Sequence, residues 1–292
     1  MNSRFTLPIF SLLILLSCGH TKPESTSLEI MAPVDEVLDT IKKDSVIGNT
    51  IKDRFTPPNG YERVQSNDAY KNYLRTLPLK PSGSSVLYYN GQQKDNYDVY
   101  AAVVDLPIGK RDLHQCADAV MRLRAEHLWK TKQYKKIHFK YTNGFNVPYS
   151  KWRLGYRVKV KGNKCTWVKT ADTSDSYTTY WKYMEAIFNY AGTMSLSKEL
   201  KKVDRDSMQI GDVFIQGGFP GHAIVVVDMA VNTETKKKVF MLAQSYMPAQ
   251  ELQVLMNPND SNNGTWYDLN FGDTLDTPEW SFTKENLKRF EE

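Results

Sequence analysis

Gln209-Ile-Gly-Asp-Val-Phe-Ile-Gln-Gly-Gly-Phe-Pro-Gly-His-Ala-Ile-Val-Val-Val-Asp-Met-Ala230 is the stretch whose reading decides the fold. Gly211-Asp212 reads as a turn that launches a short strand, Val213 to Ile215. Gly217, Gly218, Pro220 and Gly221 follow as a tight connection that larger side chains would strain. From His222 the chain runs Ala-Ile-Val-Val-Val-Asp-Met, apolar and β-branched, the pattern of a strand buried on both faces. His222 is its first residue, so a titratable ring is expected at the rim of a rigid sheet, within reach of solvent or substrate. Val239-Phe-Met-Leu-Ala243 is a second apolar strand after a polar connection. If the two strands pair antiparallel with Met229 near Lys238, His222 falls opposite Ser245 or, one residue slipped, Gln244.

A nucleophile with which such a histidine could work has to come from elsewhere in the chain. Asp112, with Gln115 three residues on, resembles a capping box opening the clearest helix. Leu113, Cys116, Ala117, Val120, Met121 and Leu128 form its apolar face. Cys116 therefore lies in the first helical turn. Helix amides and a nearby imidazolium both lower a thiol pKa from about 8.5, to as little as ~3.5. The plainer role for the same residue is a small buried hydrophobe.

Cys165 sits differently. Leu154 to Lys161, Gly162-Asn163 and Lys164 to Val168 make a hairpin with a two-residue turn. Val160 then faces Cys165 and Val158 faces Trp167, so Cys165 reads as packing. In an oxidising compartment a Cys116–Cys165 disulfide stays open beside two free thiols.

The other elements are read as a short helix at Val34 to Ile41, an Asp-capped helix at Asp68 to Leu74, and strands at Val86 to Tyr89 and Tyr97 to Val104. An aromatic-rich helix follows at Tyr177 to Tyr190, then a short one at Ser197 to Lys202. A strand is expected at Glu251 to Leu255, and a C-terminal tail that packs back through Trp280 and Phe290.

The 292 residues carry 38 Lys and Arg against 33 Asp and Glu, a formal charge of +5, which is mild. The lysine runs at 130–136, 198–202 and 236–238 have no aromatic-basic motif beside them, so nucleic acid is not an expected partner. There is no phosphate loop, dinucleotide fingerprint or Gly-x-Ser-x-Gly elbow. His114, His127, His138 and His222 lack the paired spacing of a zinc site, so neither metal nor cofactor is expected.

Arg4 and the apolar run Leu7 to Leu16 read as a signal peptide, too short to span a bilayer. Leu15-Leu-Ser-Cys18 resembles the lipobox of bacterial lipoproteins. The resemblance implies lipidation at Cys18 and an extracytoplasmic protein held to an envelope membrane; the polar residues that follow, with Pro23 among them, read as a tether over 19–30. One α+β domain is expected over 31–292, with an inserted hairpin and helices at about 150–207.

Two wider resemblances follow. Arg111 to Ala125, Gly217 to Asp228 and Ala243 to Gln250 are similar to an uncharacterised family of envelope lipoproteins about three hundred residues long, which implies no activity. The order of helix-start Cys116, strand-start His222 and a polar residue ending the next strand resembles papain-like cysteine amidases of the CHAP and NlpC type. That likeness implies a papain-like α+β fold, Cys116 as nucleophile, His222 as general base, and Gln244 or Ser245 orienting the ring. It implies hydrolysis of an envelope peptide or peptidoglycan-type substrate. A scaffold lipoprotein that kept the fold without turnover is the other reading.

Overall fold

The computed structural model describes residues 49–259 and 264–291. The lipobox cysteine, the tether and the helix read at Val34 to Ile41 lie outside them. The helices are α1 (Ile51–Arg54), α2 (Ala69–Arg75), α3 (Cys116–Lys130), α4 (Tyr149–Trp152), α5 (Tyr177–Tyr190) and α6 (Thr193–Glu199). The strands that matter most are β1 (Tyr61–Arg63), β2 (Tyr100–Val103), β3 (His138–Lys140), β4 (Asn146–Pro148), β5 (Tyr156–Lys161), β6 (Lys164–Lys169) and β7 (Lys201–Lys202). After them come β8 (Val213–Gln216), β9 (His222–Asn232), β10 (Lys238–Gln244), β11 (Gln253–Leu255) and β12 (Tyr267–Asp268). The ribbon of β13 (Thr274–Asp276) and β14 (Ser281–Thr283) then leads to β15 (Leu287–Arg289).

Helix and antiparallel sheet together make this an α+β protein. A nine-stranded sheet runs in the order β2-β11-β10-β9-β8-β15-β7, with β1 on the far half of β9 and β12 on β10. β9 and β10 form its centre. Every residue of β9 from His222 to Ala230 is buried, which is why that run needs no polar alternation. α3 packs against β9 and β10, and α2 packs against β9. The β3–β4 and β5–β6 ribbons pair only within themselves, outside the central sheet. In the second of them Val160 faces Cys165 and Val158 faces Trp167, as a two-residue turn at Gly162-Asn163 requires.

Four expectations need correction. α3 starts at Cys116 with Gln115 as N-cap, because Gln115 N donates to Asp118 Oδ2 at 3.0 Å; Asp112 is upstream of the helix. Val86 to Tyr89 forms only isolated bridges, since β2 finds its ladder on the distant β11. The helix read at Ser197 to Lys202 is α6, four residues earlier at its start, and Lys201–Lys202 extend as an edge strand on β15. The β9–β10 register also differs. Asn232 Oδ1 accepts from the amides of Glu234 and Thr235 at 3.0 and 2.8 Å, closing a tighter turn than expected, so Met229 faces Phe240. The register then slips at Val227, where Leu242 faces Val226 after Met241 faced Asp228.

Candidate active site

The bulge decides how His222 meets its neighbour. Past it, Ala243 faces Val225, so the same register sets Gln244 opposite Ile224 and diagonal to His222 on one face. His222 Nε2 lies 2.8 Å from Gln244 Oε1. Ser245, the alternative partner, points elsewhere. Its hydroxyl is 2.9 Å from the His114 carbonyl and 2.7 Å from that of Gln250, tying the end of β10 to the loop before α3.

The residues behind Gln244 fix which way its amide points. Gln244 Nε2 donates to Glu279 Oε2 at 2.6 Å. A carboxylate only accepts, so the NH₂ must face Glu279 and Oε1 must face the ring. Nε2 of a neutral His222 is then the protonated nitrogen, and Nδ1 keeps a lone pair. Glu279 is held in turn by Lys94, whose ammonium lies 2.8 and 2.7 Å from its two oxygens. Lys94 also donates to Gln250 Oε1 at 3.1 Å. Burial pulls the Lys94 ammonium below its ordinary pKa, and its bond to Glu279 works against that. The result is a chain of four polar side chains, Lys94–Glu279–Gln244–His222, drawn from three distant parts of the sequence.

Cys116 stands in the first turn of α3. The backbone amides of Ala117 and of Ala223, the residue after His222, favour its thiolate. The glycine connection before His222 is tightly folded. A Cβ on Gly221 would lie 2.6 Å from the Gly218 carbonyl and 2.7 Å from both Gln216 O and Thr193 Oγ1. Thr193 Oγ1 also bonds the Gly218 carbonyl at 3.2 Å, so α6 holds the loop against the start of β9.

Aromatic rings enclose the histidine. Tyr246, Trp280 and Phe282 lie 4.7, 5.4 and 5.8 Å from it, centroid to centroid. His222 is 1% exposed and Cys116 is 6% exposed, so the open rim expected for the ring is absent. Burial also overturns the expectation of a lowered thiol pKa. It pushes the Cys116 thiol up to about 11, with Asp118 adding to the rise and the amides of Ala117, Ala223 and Cys116 itself opposing it. Burial, with Lys94 adding to it, lowers His222 to about 4 against the bond from Gln244. Both groups therefore rest neutral, one as thiol and the other as imidazole. Cys116 and Cys165 are both free thiols. Cys165 is half-buried and receives Asn143 Nδ2 at 3.2 Å in the β5–β6 ribbon, outside the central sheet.

Glu279, Lys94 and Tyr246 carry no signature in the sequence. Lys94 lies in a polar segment, and Glu279 sits in the tail beside the Trp280 that was expected only to pack.

A second buried histidine makes the fold sensitive to acid. His114 lies edge-on to Phe188 at 5.9 Å, and its carbonyl neighbours do not close hydrogen bonds to either ring nitrogen. Burial lowers it to about 3. Both histidines are housed neutral, so the stability they favour is complete above pH 6.5 and is lost as pH falls toward 4 and 3. The loss is on the order of 3–5 kcal/mol per ring. Urea midpoints at pH 7.5, 5.5 and 4.5 should fall steadily. His114→Leu, which removes a ring without bonded nitrogens, should flatten part of that slope; an unchanged slope would show the ring reaches water.

A model of one protein family, described as a domain of unknown function (4846), matches residues 51–289. No curated protein and no solved structure matches the chain.

Proposed function

We propose that the chain, which belongs to that family, is a papain-like thiol amidohydrolase or peptidase acting on an envelope peptide or peptidoglycan-type substrate. The observation that carries this reading is the engagement of His222 Nε2 by Gln244, at 2.8 Å, which leaves Nδ1 as the nitrogen available to the thiol. Cys116 is the nucleophile. As its sulfur attacks the amide carbon, Nδ1 of His222 takes the thiol proton, and the imidazolium later returns it to the leaving amine. Water then attacks the thioester, with His222 again as base, and releases the acid. First-turn amides of α3, that of Cys116 among them, have no intrahelical acceptor and suit the oxyanion.

Glu279 supplies what Gln244 lacks. A neutral amide orients the ring but does little to stabilise an imidazolium; a carboxylate one bond further on adds that charge. Gln244 and Glu279 are thus positioning residues. Attachment through Cys18 to an envelope membrane belongs to the same proposal and would bring the site to cell-wall peptides.

The test is a peptidoglycan digest followed for new amino groups and, by mass spectrometry, for cleaved peptides. Full-length chain should release them, and Cys116→Ser should not. Equal release by both would overturn the thiol mechanism. Alkylation of Cys116 by iodoacetamide should be slow at pH 7 and climb as pH approaches about 11. A plateau reached near pH 6 would mean a resting ion pair instead of the neutral one.

The scaffold reading draws on one observation, the near-complete burial of Cys116 and of His222, the latter beneath Tyr246 and Trp280. It predicts no cleavage by the wild type and an alkylation rate unaffected by His222→Ala.

A further inference from the structure

We propose that a cleft at the far end of α3 binds a phosphate-bearing anion, independently of the thiol site. It has a volume of about 420 Å³, and the cations lining it come from four elements: Arg124 of α3, Lys135 and Lys136 of the turn Tyr134–Lys136, Lys140 of β3 and Lys198 of α6. Arg124 lies eight residues beyond Cys116, roughly 12 Å along the helix axis.

The arrangement differs from an ordinary lysine-rich surface in where its counter-charges go. None of these five cations makes an ion pair among the described residues. Two carboxylates, Glu199 and Glu291, share the cleft. Glu199 Oε1 accepts the backbone N–H of Lys140 at 2.8 Å; burial raises its pKa, and that bond and the Lys140 charge oppose the rise. Glu291 Oε1 lies 2.9 Å from Lys201. Five positive charges against two carboxylates thus leave a cationic excess on one concave surface, with Arg124 also held over the Tyr70 ring at 4.9 Å.

Its walls concentrate that field. Leu128, Ile137 and Leu196 are buried along the cleft, and the half-buried Phe290 ring takes the Arg124 guanidinium at 5.9 Å. Low-dielectric walls beneath clustered charges strengthen attraction for an anion. A single carboxylate would be satisfied by one or two of the five. Several lysine ammoniums, acting as point charges from different directions, suit a group with multiple charged oxygens, which is a phosphate. It would reach the cleft either free in solution or as a lipid headgroup.

The experiment has two arms on the full-length chain. One is calorimetric titration with inorganic pyrophosphate; the other is co-sedimentation with vesicles of phosphatidylcholine with or without phosphatidylglycerol. Lys136→Glu/Lys198→Glu is the cleft variant. Lys236→Glu/Lys237→Glu, at exposed positions outside the cleft, carries the same change in net charge. Because both variants keep the N-terminal segment, any membrane attachment through it is common to them. The cleft variant should weaken binding about tenfold or more, with the control within about twofold of wild type. That pattern with pyrophosphate identifies a free phosphate ligand, and with anionic vesicles a headgroup. Equal weakening by both variants, or no binding in either arm, overturns the proposal.

Discussion

His222→Ala is expected to slow hydrolysis of a peptidoglycan-derived peptide by about 10²–10⁴-fold, the usual contribution of a general base. Cys116→Ala should abolish it. The pH profile carries more information than the loss. His222 must be neutral to accept the thiol proton, so rate should rise as pH climbs through about 4. The thiol stays protonated up to about 11, so no second rise is expected near neutrality. An ion-pair enzyme, whose thiolate forms at acidic pH, would need His222 protonated and would lose activity as the imidazolium deprotonates. Glu279→Gln separates a positioning role from mere packing. It replaces a group that can only accept with an amide that can present either oxygen or NH₂, so the Gln244 amide is no longer fixed, and it leaves the Lys94 charge unbalanced near the ring. Rate should drop about tenfold or more, the worth of a hydrogen bond to a charged group, and the acid limb should move to lower pH. A lower rate with an unmoved acid limb would make Glu279 structural only.

The centre of this site was legible because it is carried by local pattern. A run of β-branched residues after a glycine loop specifies β9, and helical spacing specifies α3, so Cys116 and His222 could be placed at element starts from sequence. The partner of His222 was narrowed to Gln244 or Ser245 but not chosen. The choice depends on a bulge at Val227, and no rule of alternation shows a bulge inside a strand buried on both faces. Lys94 and Glu279 were illegible for another reason. Each comes from an irregular segment whose position is fixed by long-range packing, and a lone Lys or Glu in such a segment resembles any solvated charge. The thiol pKa was misjudged on magnitude: helix amides favour the thiolate, but burial of the sulfur outweighs them here.

Asp228→Ala should be the most destabilising single substitution on the central strand, at about 3–5 kcal/mol. Asp228 is 0% exposed and follows Val227 at the bulge. Its carboxylate accepts Arg63 Nε at 2.7 Å and Arg75 Nε at 2.5 Å, and the amide of Met229 at 2.8 Å. Arg75 also bonds the Met229 carbonyl at 3.1 Å, so Asp228 ties α2 to β9 and reinforces the β1–β9 ladder. Removing the carboxylate leaves two guanidinium groups facing each other, and Arg75 is nearly as buried as its partner. Asp228→Asn keeps the shape and one acceptor but not the charge, and should cost less than the alanine. Urea denaturation of the three proteins gives the order directly. A loss below about 1 kcal/mol for the alanine would mean that both arginines reach water when released. The same measurement bears on the candidate site. The bulge sets the diagonal pairing of His222 with Gln244, so a variant that folds with the register restored to plain alternation should lose activity beyond its loss of stability. If Asp228→Ala keeps full turnover in its folded fraction, the bulge is held by the strands themselves and the arginine pair serves stability alone.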